Sequence, residues 1–119
     1  AEARAAYTAA DAGIVALDRI RRILDLSELE LGRVLRVSRQ AVEQWRQRGI
    51  PAERRADVDR LLAAADWLHE SVLPERIPQV VRRPVPALGD RSMLAFVEEE
   101  GPLALLQHLA RLFSMQGGA

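Results

Sequence analysis

The chain has 119 residues, about half of them apolar, which excludes a large multidomain architecture and leaves room for one ordinary core or two very small ones. It contains no cysteine, which excludes disulfides and cysteine-ligated metal sites, and seventeen arginines balance seventeen acidic residues to a formal net charge of zero. No apolar run approaches the roughly 20 residues of a membrane span, and no signal-peptide pattern opens the chain. We therefore expect a cytoplasmic protein without membrane contact.

Helical patterns begin close to the N-terminus. Residues 1–13 carry only weak periodicity and are expected to form a lead-in. From Ile14 onward apolar residues recur at helical spacing and predict a first helix of about three turns. Ser27, with Glu30 three residues later, is typical of a capping box and predicts a second helix that ends near Leu35.

Two further helices complete the first part of the chain. Ser38 is a good N-cap for a third helix over residues 39–47, which Gly49 then ends. Pro51 suits the start of a fourth helix, whose apolar positions continue to about Val72. Residues 14–73 are therefore predicted to form one small helical domain.

Four prolines mark a change of character after this domain: Pro74, Pro78, Pro84 and Pro86. They cannot all lie inside helices, and they predict a boundary before a second module over residues 74–119. In this module Asp90 or Ser92 is expected to cap a short helix, which Gly101 ends, and Pro102 is expected to begin a last helix. No useful alternating β pattern occurs, and the predicted fold is all-α.

The second and third helices have the properties of a helix-turn-helix motif. Such a motif needs a small residue where its helices cross, an apolar residue in the turn and apolar residues beneath the second helix. Gly32, Val37, Val42 and Trp45 meet these needs in the correct order. The opposite face of the third helix is then expected to lie in solvent. Solvent exposure alone would also explain its polar composition, because most charged helix faces are simply hydrated.

That polar face favours contact with DNA. Residues 33–55 hold seven arginines against two glutamates, a local net charge of +5 in a neutral chain. Arginine pairs with guanine and glutamine with adenine in the major groove, so Arg39, Gln40 and Gln44 are the predicted base readers. Phosphate contacts are expected from Ser38 with the helix N-terminus and from nearby arginines. The full predicted DNA-binding set is Ser38, Arg39, Gln40, Glu43, Gln44, Arg46, Arg48 and Arg36, with Arg54 and Arg55 as further phosphate contacts.

The segment "LSELELGRVLRVSRQAVEQWRQRG" resembles the helix-turn-helix of Xre-type, phage-repressor-like regulators over about residues 14–65. Arg36 stands where that family often has a turn glycine, and Arg46 where it often has glutamate. The resemblance implies binding to double-stranded operator DNA. Because one such unit makes few base contacts, we also expect a homodimer or a larger even oligomer.

The segment "RIPQVVRRPVPALGDRSMLAFVEEEGPLALLQHLARLF" is similar to the toxin-binding domain of the Xre/MbcA/ParS antitoxin family. In its "P-x-x-LG-x-R/S-x-x-L" core, Asp90 replaces a frequent second glycine and Met93 a frequent proline. The resemblance implies a partner, a RES-domain toxin that degrades NAD, whose active site the last helix and tail would cover. The residues it implies for toxin binding are Leu105, His108, Leu109, Leu112, Phe113, Met115 and Gln116. Four of them could equally belong to the core, namely Leu105, Leu112, Phe113 and Met115, and the core is favoured for Leu105 and Leu112.

Neither catalysis nor a bound cofactor is indicated. The two histidines have no partners at metal-ligand spacing, and no phosphate loop or nucleophile motif is visible, so we expect no enzyme, no metal and no cofactor.

Three alternatives stay open: an antitoxin that binds both DNA and toxin, a stand-alone transcriptional regulator whose C-terminal module serves dimerisation, and a helical adaptor that binds only protein.

Overall fold

The structure is a computed structural model that describes the backbone of residues 9–117 and the side-chain surroundings of residues 12–114. This part of the chain contains seven α-helices: α1 (Ala9–Leu24), α2 (Glu28–Val34), α3 (Arg39–Arg48), α4 (Ala52–Ser71), α5 (Ile77–Val80), α6 (Met93–Glu100) and α7 (Pro102–Gly117). Two short 3₁₀ turns cover Pro74–Arg76 and Pro86–Leu88. The described residues contain no strand, only an isolated antiparallel bridge between Val85 and Arg91. The predicted all-α fold is confirmed.

Local capping signals place three helix starts. The Ser27 hydroxyl accepts from the Glu30 N–H at 3.1 Å while the Glu30 carboxylate accepts from the Ser27 N–H at 2.9 Å, which is the predicted capping box. Ser38 and Ser92 each accept from the third backbone N–H of the following helix, at 3.1 and 3.0 Å. Ser92 rather than Asp90 therefore caps α6. Each serine satisfies an N–H group that the helix itself leaves without a partner.

Two boundaries differ from the sequence prediction. Helix α1 already includes Ala9, so the helix covers part of the segment predicted as a lead-in; residues 1–8 lie outside the described residues. Pro78 lies in the first turn of the short helix α5, a helix that the sequence did not predict. Proline is tolerated there because the first N–H groups of a helix have no intrahelical acceptor.

One hydrophobic core joins the two parts of the chain. Helix α4 packs against α1 on one side and α7 on the other, and α6 contacts α2. Fully buried side chains from before and after the proline-rich segment, such as Leu17, Leu61, Val97 and Leu109, belong to the same cluster. The predicted boundary at residues 74–86 is therefore not a gap between two cores. Independent folding of residues 14–73 and 74–119 stays a prediction.

Arg82 ties the proline-rich segment to the N-terminal helices. Its guanidinium donates to the carbonyl oxygens of Leu24 at 3.2 Å and Asp25 at 2.6 Å, at the end of α1, and to the Pro78 carbonyl at 2.9 Å. It also pairs with the Glu30 carboxylate at 3.3 Å. The backbone N–H of Ser27, with Arg82 adding to the effect, lowers the pKa of Glu30 below its ordinary value.

None of the described helices is long and apolar enough to span a lipid bilayer.

Candidate nucleic-acid interface

The turn between α2 and α3 is tightly built. A Cβ atom added to Gly32 would lie 2.8 Å from the Val37 carbonyl oxygen, which is too close for any other residue without a backbone shift. The Val37 N–H donates to the Gly32 carbonyl at 2.9 Å, and the Val37 side chain packs partly buried against the core. Arg36 adopts a left-handed conformation with φ of 62°. Gly32 therefore has the crossing role that the sequence predicted, and Val37 is the apolar residue of the turn.

Helix α3 has one buried and one exposed side. Val42 is completely buried and Trp45 is 6% exposed, so this side anchors the helix in the core. The other side presents the following exposed residues: Ser38, Arg39, Gln40, Glu43, Gln44, Gln47 and Arg48. The structure thus brings the three predicted base readers together on one accessible surface, which we call the α3 face and define by these seven residues.

Helix α3 begins with a positively charged residue. Carboxylates near a helix N-terminus are favourable because the free N–H groups carry partial positive charge, and α2 has Glu28 and Glu30 in its first turn. Helix α3 has no acidic residue in its first turn and begins instead with Arg39. Helix α4 likewise has Arg54 and Arg55 near its start, beside Glu53. These arginines contribute little to helix stability where they stand, whereas an approaching phosphate would complement them.

Arg46 does not lie free on the α3 face, which corrects the sequence prediction. Its guanidinium pairs with the Asp18 carboxylate of α1 at 2.6 Å and the Glu28 carboxylate of α2 at 2.7 Å, and its side chain is only 22% exposed. The hydrogen bond to Glu28 is the main cause that raises the pKa of Arg46, and the bond to Asp18 adds to it. The charge of Arg46 is therefore neutralised inside the protein, where it joins α3 to α1 and α2.

Arg36, another predicted phosphate contact, is exposed and also makes hydrogen bonds within the protein, and its contact with DNA stays a prediction. Its Nε donates to the Glu98 carbonyl at 3.1 Å and its Nη2 to the Glu99 carbonyl at 2.7 Å. Both acceptors lie at the C-terminal end of α6. The sequence offered no signal for this contact or for that of Arg46, because the partners lie 18 to 63 residues away along the chain.

The residues implied for toxin binding fall into three groups. Leu105, His108 and Leu109 are buried, at 3%, 8% and 0% exposure, and so are not available to a partner. They face the core because α7 packs along α4, which corrects their assignment as contact residues. Leu112 and Phe113 are half-buried, and the Phe113 ring lies 5.9 Å from the ring of Trp67. The side chains of Met115 and Gln116 lie outside the described residues.

His108 is the buried polar residue of this region. Its Nε2 has no hydrogen-bond partner, and its ring lies 6.3 Å from the ring of Phe96 in α6. Burial, with the nearby positive charge of Arg111, lowers the pKa of His108 below its ordinary value. The imidazole is therefore held neutral in the folded protein near pH 7. Among the residues that the structure describes, no group of three or more acidic or histidine side chains is placed to hold a metal ion.

Comparison with protein-family models, curated proteins and solved structures finds no match to this chain.

Proposed function

We propose that this protein is a DNA-binding antitoxin of the cytoplasm that contacts operator DNA through the α3 face and neutralises a RES-domain, NAD-degrading toxin through its C-terminal helices. It acts by binding and not as an enzyme. The observation that carries the DNA part is the geometry of α3, whose apolar side is buried and whose Arg39, Gln40 and Gln44 share one exposed surface. Such a surface fits the major groove, where these side chains have matching base partners.

The backbone adds support for both motif resemblances. Arg36 and Asp90 are the positions where the resembled families often have glycine, and both residues adopt left-handed conformations with φ of 62°. Residues other than glycine rarely adopt such angles. The chain therefore keeps a glycine-like backbone at these two points although the side chains have changed.

The DNA part is tested by measuring binding to the region upstream of the protein's own coding sequence, by fluorescence anisotropy. Arg39→Ala is expected to cost about 1–3 kcal/mol on the specific site and to relax sequence preference. Arg83→Ala is the matched control, because it removes the same charge from an exposed position outside the helix-turn-helix. Arg55→Ala, at a predicted phosphate contact, is expected to weaken specific and random DNA alike.

Two outcomes would contradict this part of the proposal. One is an equal loss for Arg39→Ala and Arg83→Ala, which would remove Arg39 from the base readers. The other is binding that does not weaken between about 50 and 200 mM salt, which phosphate contacts do not allow.

The same titrations at known protein concentration, combined with light scattering, test the expected homodimer or larger even oligomer; a monomer bound specifically would contradict it.

The toxin part depends on the C-terminal resemblance and on what α7 leaves accessible. Leu103 in its first turn is 44% exposed, and Leu112 and Phe113 are only half-buried. A partner can reach these side chains without opening the core, whereas it cannot reach Leu105 or Leu109. The surface that we propose for toxin contact is therefore narrower than the residue set implied by the sequence.

Consumption of NAD by the co-expressed toxin tests this part. A chain that ends after Phe113 keeps the buried residues of α7, so we expect it to fold, to bind DNA and to co-purify with the toxin. If residues 114–119 enter the toxin's active site, this shortened chain inhibits poorly. If inhibition is undiminished, residues 114–119 do not enter the active site, and the folded helices alone must cover it.

The second candidate function is a stand-alone regulator whose C-terminal module serves dimerisation. One observation favours a function without a toxin: α6 and α7 share a core with the helix-turn-helix, so the C-terminal module already has a structural role. Failure of the protein to bind or inhibit any RES-domain toxin encoded beside it, with DNA binding intact, would favour this candidate.

A further inference from the structure

The turn of the helix-turn-helix is attached to the C-terminal end of α6 by one side chain. The last carbonyl groups of a helix have no intrahelical donor and carry partial negative charge, so a cation there is favourable. Arg36 supplies it, with hydrogen bonds of 3.1 Å to the Glu98 carbonyl and 2.7 Å to the Glu99 carbonyl. Its third nitrogen, Nη1, lies 3.5 Å from the point where a Cβ on Gly101 would stand. The guanidinium therefore caps the end of α6 closely.

Backbone conformation alone does not explain an arginine in this turn. At φ of 62° glycine is favoured, and an arginine pays a conformational cost. The two hydrogen bonds to α6 offset that cost, and no other side chain of the turn makes them. A glycine would adopt this backbone conformation more easily, but only the arginine side chain joins the turn to α6, more than sixty residues further along the sequence.

Arg36 lies immediately before the residues that begin α3. Val37 and Ser38 follow Arg36, and Ser38 is the N-cap of α3. A Cβ on Gly32 would lie 2.8 Å from the Val37 carbonyl oxygen, so the backbones of α2 and the turn approach each other closely. We therefore expect a displacement of the end of α6 to reach, through Arg36, the first turn of α3, where Arg39 and Gln40 lie.

We propose that Arg36 is a positioning residue that couples the C-terminal helices to the DNA-reading helix. The proposal rests on the proposed function only in so far as α3 binds DNA. A ligand that moves the end of α6 changes DNA affinity through this residue, and DNA changes the affinity for that ligand by the same factor.

Amide hydrogen exchange of the full chain, followed by NMR in the absence of DNA and of any partner, tests the coupling. Arg36→Gly relaxes the backbone but removes both hydrogen bonds, and Arg36→Lys keeps the charge and one donor in the same strained conformation. In Arg36→Gly we expect exchange to accelerate by about tenfold both at the end of α6 and through α3, while the core of α4 changes less. Arg36→Lys is expected to restore part of the protection in both helices together.

Two results would overturn the proposal. If only α6 loses protection in Arg36→Gly, the arginine is a local cap without effect on α3. If α3, α4 and α6 lose protection by the same factor, Arg36 merely stabilises the whole fold. Because this experiment contains no DNA, it is independent of the Arg39→Ala titration. Unchanged DNA specificity in Arg39→Ala would contradict the proposed function and leave the coupling between the helices standing.

Discussion

Helices α3 and α7 are the two elements that the sequence singled out for binding, and the structure treats them differently. On α3 the candidate base readers are exposed and share one face. On α7 three of the candidate contact residues, Leu105, His108 and Leu109, lie in the core. The difference arises because the candidates on α3 are polar side chains, whereas most of those on α7 are apolar. Several polar side chains on one helix face predict exposure, because burying them without partners is costly.

An apolar stripe carries no such information. Leucines at helical spacing fit a core and an interface equally well, since both bury the same surface. Helix α7 has a long apolar stripe, and α4 covers most of it within the same chain. What is left for a partner is the margin of that stripe, where Leu103 is exposed and Leu106, Leu112 and Phe113 are half-buried.

The largest expected effect tests whether α7 belongs to the core. Leu109 is completely buried, so Leu109→Ala is expected to lower the free energy of unfolding by about 2–5 kcal/mol. Leu103→Ala makes the same chemical change at a position that is 44% exposed and should cost much less. Urea denaturation of both variants gives the comparison. Similar small losses would mean that α7 is not held against α4 as described.

An intermediate effect separates the arginines of α3. Arg46→Met keeps the side-chain stem but leaves the carboxylates of Asp18 and Glu28 without this partner, and we expect a loss of about 1 kcal/mol in the free energy of unfolding. Arg48→Met, at an exposed position in the same last turn, is expected to change stability little.

In DNA binding we expect the opposite order: Arg48→Met should have the larger effect and Arg46→Met the smaller one. If Arg48 contacts a phosphate, Arg48→Met reduces the slope of log affinity against log salt by about one. Arg46→Met should leave that slope unchanged, because two carboxylates already neutralise its charge. A reduced slope for Arg46→Met would place Arg46 on the DNA surface after all.

The smallest expected effect concerns the burial of His108. Its pKa is lowered from the ordinary value of 6.5, so the unfolded chain binds a proton more readily than the folded chain. The stability conferred by the neutral ring is therefore fully present above pH 6.5 and is lost as the pH falls through the lowered pKa. Denaturation between pH 7.5 and about pH 5 measures this loss.

Matched variants of the two histidines isolate this contribution. His108→Leu removes the titrating group, so its stability should fall less over this pH range than that of the unmodified protein. His69→Gln, which removes the histidine at an exposed position of α4, is the matched control. An unchanged pH dependence in His108→Leu would mean that His108 is accessible to protons in the folded state.

The sequence by itself determined the features that depend on neighbours along the chain. The capping box of Ser27 and Glu30, the cap at Ser38 and the crossing glycine Gly32 were identified from residue types and spacing, which for α6 left Asp90 and Ser92 as alternatives. Such signals are reliable because a cap satisfies a backbone group only two or three residues away. The all-α fold and the exposed face of α3 followed from the same local patterns.

The tertiary structure alone decided what depends on distant partners. The local charge of +5 over residues 33–55 overstated the positive surface, because Asp18 and Glu28 approach Arg46 from outside that segment. The first helix also reached back to Ala9, although its alanine-rich start carries little pattern. Burial of Leu105, His108 and Leu109 likewise required knowing that α7 packs on α4. The physical reason is the same in the charge and burial cases: ion pairing and burial are set by which surfaces meet in space, and residue spacing within one helix does not specify its partner.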